Sequence, residues 1–167
     1  MSKHKGELPP APEPLPVPVV DAHTHLDACG ATDSASVSTM VDRAERAGVS
    51  RVVTVSDDMV AARWAAEAST WDDRVFAAVA LHPTRTASFT DEDKAELERL
   101  AAQPRVVAVG ETGLDYYWDY APQKAQHEAF RFKPYGQALR QCCHYRSPTS
   151  IRRTDCRLIL PRSLRGN

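Results

Sequence analysis

The stretch Val17-Pro-Val-Val-Asp-Ala-His-Thr-His-Leu-Asp27 decides how the rest of this chain is interpreted. An apolar run reaches Asp21 and is followed by His23 and His25, two residues apart. If the run is a β-strand, its side chains alternate between two faces, so both imidazoles point the same way. Two convergent imidazoles with carboxylates beside them make a site for a divalent metal ion. A chance His-x-His pair is the alternative at this point.

Three further apolar runs follow the first one, and each of the four is followed by a helical pattern. The sequence predicts strands at about residues 17–22, 51–55, 75–80 and 105–109. The expected helix starts are Asp33 or Ser34, the Ser56–Asp58 stretch, Thr90 with Asp93, and Pro122. The strands are apolar throughout rather than alternating, which is typical of a parallel sheet covered by helices. The predicted fold class is therefore α/β.

A polar residue follows each of the four strands: His25, Ser56, His82 and Glu111. The carboxyl ends of parallel strands lie at one edge, where such folds place their chemistry. Four successive strands delivering polar groups to one rim favour a barrel over a Rossmann sheet. No G-x-G-x-x-G follows the first strand, which argues against dinucleotide binding.

Composition limits the class of protein. The 167 residues carry a net charge of −1, which predicts a single soluble domain with no overall basic character. The four cysteines form no C-x-x-C pair, so we expect a reducing, cytoplasmic location. Neither a signal peptide nor a stretch of about 20 apolar residues is present, so no membrane partner is expected.

Charge and proline content divide the chain into three segments. Residues 1–16 form a proline-rich leader that we expect to be disordered, and residues 17–131 hold the four βα units. Residues 132–167 hold eight of the 21 Lys and Arg residues but a single acidic residue, Asp155. This arginine-rich tail lacks a helical period, and we expect it to be disordered.

Three motifs carry a family resemblance. Val19-Val-Asp-Ala-His-Thr-His-Leu-Asp27, Ala-Leu-His82-Pro83 and Val-Gly-Glu111-Thr-Gly-Leu-Asp-Tyr-Tyr117 resemble the TatD family of metal-dependent deoxyribonucleases in residues, order and spacing. The resemblance covers roughly residues 17–131. The leader is similar to that of actinobacterial members.

The resemblance implies a TIM (β/α)8 barrel of the amidohydrolase type, with only its first four βα units in this chain. It also implies two divalent metal ions (Mg, Mn or Zn) and DNA as substrate. His23 and His25 would ligate one ion, and Glu111 would bridge both ions as the catalytic carboxylate. His82 would bind the substrate phosphate. From the residues alone, Glu111 remains open to a role as a surface or cap residue, and His82 to a role in ending a strand.

The tail departs from the resemblance. Members of the family continue with four more βα units, which supply two histidines and an aspartate, and no matching motifs follow Phe132. We expect a truncated or frame-shifted product, with a divergent tail and a tail that binds nucleic acid as alternatives. The first and fourth strands would then have open edges, which favours self-association of half-barrels.

Three functions follow from these observations. The first is a metal-dependent hydrolase that cleaves phosphodiester bonds with a two-metal centre. The second is an amidohydrolase-type enzyme acting on an amide or ester in a small molecule. The third is an inactive fragment with residual metal or nucleic-acid binding, since half a barrel supplies about half of the ligands.

Overall fold

A computed structural model of the protein describes residues 10–132 and the backbone of residues 155–159. The strands are β1 (Val19–Thr24), β2 (Val49–Val55), β3 (Val75–Ala78), β4 (Val106–Leu114) and β5 (Asp155–Ile159). The helices are α1 (Ser34–Arg46), α2 (Met59–Ala68), α3 (Asp91–Ala101) and α4 (Gln123–Phe130), with a 3₁₀ helix at Pro83–Ser88. Within these ranges, none of the helices combines the length and the apolar character that crossing a membrane requires.

Strands β1 to β4 form a parallel sheet in chain order. In its centre, Val52 lies opposite Val75 and Ala77 lies opposite Val106. Parallel neighbours need a crossover, and α1, α2 and α3 supply the three crossovers. The predicted α/β class and the four βα units are therefore confirmed. The carboxyl ends of all four strands lie at one edge of the sheet.

Local capping chemistry begins the first three helices where the sequence predicted. The side chain of Asp33 accepts a hydrogen bond from the Ser36 amide, and Thr90 forms a reciprocal capping box with Asp93. Asp58 caps α2 by accepting from the Ala61 amide. Such caps satisfy amides that have no partner within the helix, and each is worth about 1 kcal/mol.

Helices α2 and α3 cover the centre of the sheet. Helix α2 buries five alanines, and these small side chains allow it to lie close to β3. Helix α3 adds Leu97 and Leu100, which are 1% and 3% exposed and pack with Val79 and Leu81 beyond β3. Burying a leucine contributes about 1.5–3 kcal/mol, so this cluster fixes the helices against the strands that carry the site.

Strand β4 is longer than the sequence predicted. It continues past Val109 to Leu114, so Glu111 lies inside the strand rather than after it. The backbone of Thr112 and Gly113 pairs with β5, and the Glu111 amide donates to the carbonyl of Ser56, the residue after β2, at 3.3 Å. Partners on both sides keep the Gly-Glu-Thr-Gly segment extended, although its composition is typical of a turn.

The leader is anchored near its end. Leu15 donates a backbone hydrogen bond to Ala47 at 3.0 Å and lies directly over Gly48. Gly48 has a φ of +93°, and a Cβ there would meet the Cβ of Leu15 at 2.9 Å. Residues 10–16 form no helix or strand, and residues 1–9 lie outside the described part of the chain, so a disordered leader stays a prediction.

Strand β5 is a second difference from the expectation for the tail. Residues 155–159 pair antiparallel with β4, although the sequence predicted no strand there. The reason is that the free edge of β4 presents backbone donors and acceptors to which an extended segment can bond. The remaining residues of the segment 133–167 lie outside the described ranges. The edge of β4 that we expected to be open is thus covered between Val109 and Leu114, while β1 remains an edge strand of the described sheet.

A charged network ties α1 to the start of β3, away from the carboxyl edge. Arg74 forms ion pairs with Asp42, Glu45 and Asp72 at 2.6–2.8 Å. Hydrogen bonds from Arg74 lower the pKa of Asp72, and Ser38 on α1 also donates to this carboxylate at 3.1 Å. Since the Asp72 side chain is only 10% exposed, the network stabilises the fold more than a surface ion pair would.

Candidate metal centre

The two histidines after the first apolar run lie where the sequence predicted. His23 belongs to β1, and His25 follows directly after its last residue, Thr24. Their rings are in edge contact, with centroids 5.2 Å apart and planes inclined at 65°. The His23 amide donates to the Asp21 carboxylate at 3.0 Å, which fixes the backbone just before the two histidines.

Glu111 reaches these histidines from β4. Its Oε2 lies 3.4 Å from Nε2 of His23, and its Oε1 lies 3.9 Å from Nε2 of His82. One ligand atom from each of His23, His25 and Glu111 can be chosen so that all three atoms lie within 4.8 Å of one another. The sheet therefore brings together three side chains that are separated by up to 88 residues in the chain. Two nitrogens and a carboxylate oxygen form a donor set that suits a transition-metal ion.

His82 faces the same carboxylate from the loop after β3. Its Nδ1 accepts a hydrogen bond from the Thr84 amide at 3.3 Å and lies 2.7 Å from the Thr84 hydroxyl. In a neutral imidazole with an accepting Nδ1, the proton is on Nε2. Nε2 is the atom that faces Glu111, so the neutral ring presents a donor to the site.

A cleft of about 820 Å³ lies beside these residues. Its lining includes four carboxylates, those of Asp27, Asp57, Glu111 and Asp115, while Arg85 is the only permanent cation among the described residues of the lining. This excess of negative charge favours cations. Asp27 adds a specific signal, because its Oδ1 is buried and lacks a hydrogen-bond partner.

Ser56, the polar residue that follows the second strand, has a structural role rather than a role in the site. It is fully buried, and its hydroxyl donates to the Ala80 carbonyl and accepts from the Ala80 amide, both at 2.9 Å. The residue therefore joins the carboxyl ends of β2 and β3 and does not line the cleft. These two hydrogen bonds fix Ala80 and therefore the position of the loop that carries His82.

Several residues that line the cleft were not predicted from the sequence. Asp57 was interpreted only as part of a helix cap, but Asp58 provides that cap and Asp57 lines the cleft. Asp115, Trp118 and Tyr120 also line it, from the loop after β4. The available signal was the run of aromatic residues that directly follows the strand with Glu111.

Comparisons with known proteins show the family and the fold of this chain. An uncharacterized metal-dependent hydrolase, TatD, from Mycobacterium tuberculosis is 60% identical over 117 residues, which are 67% of this chain and 44% of that protein. A protein from Cronobacter sakazakii named 3'-5' ssDNA/RNA exonuclease TatD is 30% identical over 91 residues, covering 54% of this chain and 35% of its own length. The crystal structure of YJJV, a TatD homologue from Escherichia coli, superposes with a TM-score of 0.52 at 26% identity, over 65% of this chain and 43% of that one.

The chain thus spans less than half the length of the relatives it matches. Its four βα units correspond to part of a TIM barrel of the amidohydrolase type, as the sequence predicted. The family model for TatD related DNase matches residues 20–133, which is more than half of the chain and includes all four residues of the predicted site. The chain therefore belongs to the TatD related DNase family.

Proposed function

We propose that this chain is a metal-dependent hydrolase that acts on phosphodiester bonds in DNA. The observation that carries the proposal is the convergence of His23, His25 and Glu111 opposite His82 at the carboxyl edge of the sheet. The exonuclease name of the Cronobacter sakazakii relative supports the substrate class. Because the chain covers only part of each relative, the activity is inferred from the site together with family membership.

The side chains fit a divalent metal ion, which we propose His23, His25 and Glu111 hold. Two imidazoles and one carboxylate suit Zn²⁺ or Mn²⁺, and the unpartnered Oδ1 of Asp27 adds an acceptor in the same cleft. When bound, divalent ions supply positive charge for a phosphate and an activated water molecule. The protein's part is to hold the ligands on a rigid sheet edge.

A second ion is part of the proposal, with Glu111 as the carboxylate shared by both. Its two oxygens face different histidines, Oε2 toward His23 and Oε1 toward His82. A carboxylate that presents one oxygen to each side suits a bridging role. Its side chain is only 16% exposed, so bulk water competes little with a metal ion for the two carboxylate oxygens.

We further propose that His82 binds the substrate phosphate. Thr84 holds Nδ1 as an acceptor, so a neutral His82 ring carries its proton on Nε2, at the site, where it can donate to a phosphate oxygen. The carboxylates of the cleft would repel a phosphate in the absence of cations. We therefore expect DNA binding to require a divalent metal ion.

The deciding experiment compares the full chain with its Glu111→Gln variant on single-stranded DNA, with and without Mg²⁺ or Mn²⁺. We expect metal-dependent cleavage that is at least about 10²-fold slower in the variant. Cleavage at the same rate in both proteins would contradict the proposal and indicate a contaminating nuclease. Metal binding that needs Glu111 but brings no cleavage would limit the function to metal binding.

Self-association and a cytoplasmic location remain further proposals. The exposed edge strand β1 presents Val20, and the residues before it include Val17, at 54% and 62% exposure. A second copy pairing there would cover this apolar surface. The cytoplasmic location rests on the cysteine pattern of the sequence.

A further inference from the structure

An exposed group of aromatic rings lies beside the candidate metal centre. Four of the twelve Phe, Trp and Tyr residues of the chain fall between positions 116 and 120. Trp118 is 50% exposed and Tyr120 is 68% exposed, and both line the cleft that contains His25, His82 and Glu111. We call Trp118 and Tyr120 the aromatic shelf. Large rings at such exposure lose the hydrophobic benefit of burial, so their clustering at one cleft needs an explanation.

The rings of the shelf are already arranged for stacking. Trp118 and Tyr120 lie parallel, with an angle of 3° between planes and centroids 5.5 Å apart. Tyr117 meets the Trp118 ring edge-on at 4.8 Å. An offset parallel pair leaves ring faces exposed, and another flat π-system can extend such a stack.

Buried polar groups hold the loop that carries the shelf. Asp115 is 1% exposed, and its carboxylate accepts from the amides of Tyr117 and Trp118 at 2.8 and 3.2 Å. Gln126 on α4 is equally buried and bonds to both ends of the loop, at Asp115 and Ala121. A loop fixed in this way presents its rings without the entropic cost of ordering them on binding.

We propose that the aromatic shelf binds an unpaired nucleobase of a single-stranded nucleic acid whose phosphate lies at the metal centre. This inference rests on the proposed function and adds the recognition of bases to it. A base in a duplex has both faces covered by its neighbours, so the shelf selects single strands or strand ends. Stacking is tolerant of sequence, because every base has a π-face.

One cation on the cleft, Arg85, supports the same ligand. Arg85 lies in the 3₁₀ helix that follows His82 and lines the cleft; its side chain is 59% exposed and lies 4.0 Å from the Asp57 carboxylate. A ligand that satisfies the shelf and Arg85 at once needs a flat apolar ring next to an anion. A nucleotide within a single strand has both.

The test measures equilibrium binding of two fluorescently labelled probes to the full chain in the presence of Mn²⁺. One probe is a short phosphorothioate oligothymidylate, which resists hydrolysis, and the other is an abasic strand with the same number of phosphorothioates. We expect the wild-type chain to bind the thymidylate about 5- to 150-fold more tightly than the abasic strand. Trp118→Ala should remove this preference and leave the affinity for the abasic strand within about twofold.

Matched variants separate the shelf from general damage to the loop. Trp118→Phe keeps a stacking ring and should retain most of the preference, and Tyr120→Ala should reduce it if Trp118→Ala does not fold. Tyr116→Ala is the control, because Tyr116 belongs to the same loop but bonds to His127 and does not line the cleft. It should leave the preference unchanged.

Three outcomes would overturn the inference, and they are distinguishable. An unchanged preference in folded Trp118→Ala means that the shelf does not contact bases. An equal loss of affinity for both probes means that Trp118 supports the loop or phosphate binding instead. Failure of the wild-type chain to bind either probe with Mn²⁺ present would refute the proposed function itself.

Discussion

Replacing Gln126 with leucine removes a polar side chain that connects α4 to both ends of the loop after β4. The amide oxygen accepts from the Asp115 N–H at 2.7 Å. The amide nitrogen donates to the carbonyls of Asp115 and Ala121 at 2.8 and 3.0 Å. Leucine fills a similar volume but offers neither a donor nor an acceptor. The N–H and C=O of Asp115 and the C=O of Ala121 then lose their partner in a buried site, where Gln126 itself is 1% exposed.

The expected loss of stability follows from these three groups. A buried backbone donor or acceptor without a partner costs about 1–3 kcal/mol, and the apolar contacts of leucine offset part of the total. We therefore expect Gln126→Leu to lower the free energy of unfolding by about 3–5 kcal/mol, which is at the upper end for single substitutions. Gln126→Glu should also destabilise the fold, because a carboxylate accepts from Asp115 N–H but cannot donate to either carbonyl.

Urea unfolding of the full chain, followed by circular dichroism, measures the effect. The matched control is Gln123→Leu on the same helix, since Gln123 is exposed and its substitution should change the free energy of unfolding by less than about 0.5 kcal/mol. Hydrogen exchange at the Asp115 amide should also accelerate in Gln126→Leu. A loss below about 1 kcal/mol would refute the reasoning that Gln126 is the main partner of these groups.

Three further predictions concern the fold and the metal centre. Gly48→Ala should destabilise the chain by about 1–2 kcal/mol more than Gly30→Ala in urea unfolding, because both glycines have positive φ but only a Cβ at Gly48 meets a neighbour; equal losses would contradict this. Asp72→Asn should lower the free energy of unfolding by about 1–2 kcal/mol at neutral pH. Since the folded-state pKa of Asp72 lies below its ordinary value of 3.8, that contribution is fully present above about pH 4 and is lost as the pH falls through the lowered pKa; a difference from wild type that stays constant into strong acid would refute it. Calorimetry should show that His23→Ala and His25→Ala each weaken Mn²⁺ or Zn²⁺ binding at least about tenfold, and an unchanged affinity in either variant would remove that residue from the site.

Local sequence signals predicted most of the secondary structure because the physics behind them is local. The caps at Asp33, Asp58 and Thr90 depend on side chains that accept from amides three residues away. The apolar strands follow from burial on both faces of a parallel sheet. Distant partners decided what the sequence did not reveal, such as the extension of β4 beyond Val109 and the strand β5 that pairs with it.

The site shows the same division. His23 and His25 could be paired from their spacing alone, because alternate residues of a strand share a face. Glu111 could be placed near them through the expectation that four parallel strands end at one edge, and its role beside them came from the family resemblance. Asp115 gave no sign of its burial, since its partners include a glutamine eleven residues away on another element. Sequence patterns do not encode such a pair in any regular period.

Because Glu111 lies inside β4, the candidate metal centre is connected directly to the loop that carries the aromatic shelf. If the strand had ended at Val109, the carboxylate would belong to a loop whose position varies independently of the sheet. Instead, backbone pairing continues to Leu114, and the buried Asp115 begins the fixed aromatic loop immediately afterwards. Glu111 and Trp118 are therefore placed by one continuous rigid segment. If a substrate contacts both residues, as we propose, the fixed distance between them limits which substrates fit, and the register of β4 then contributes to specificity.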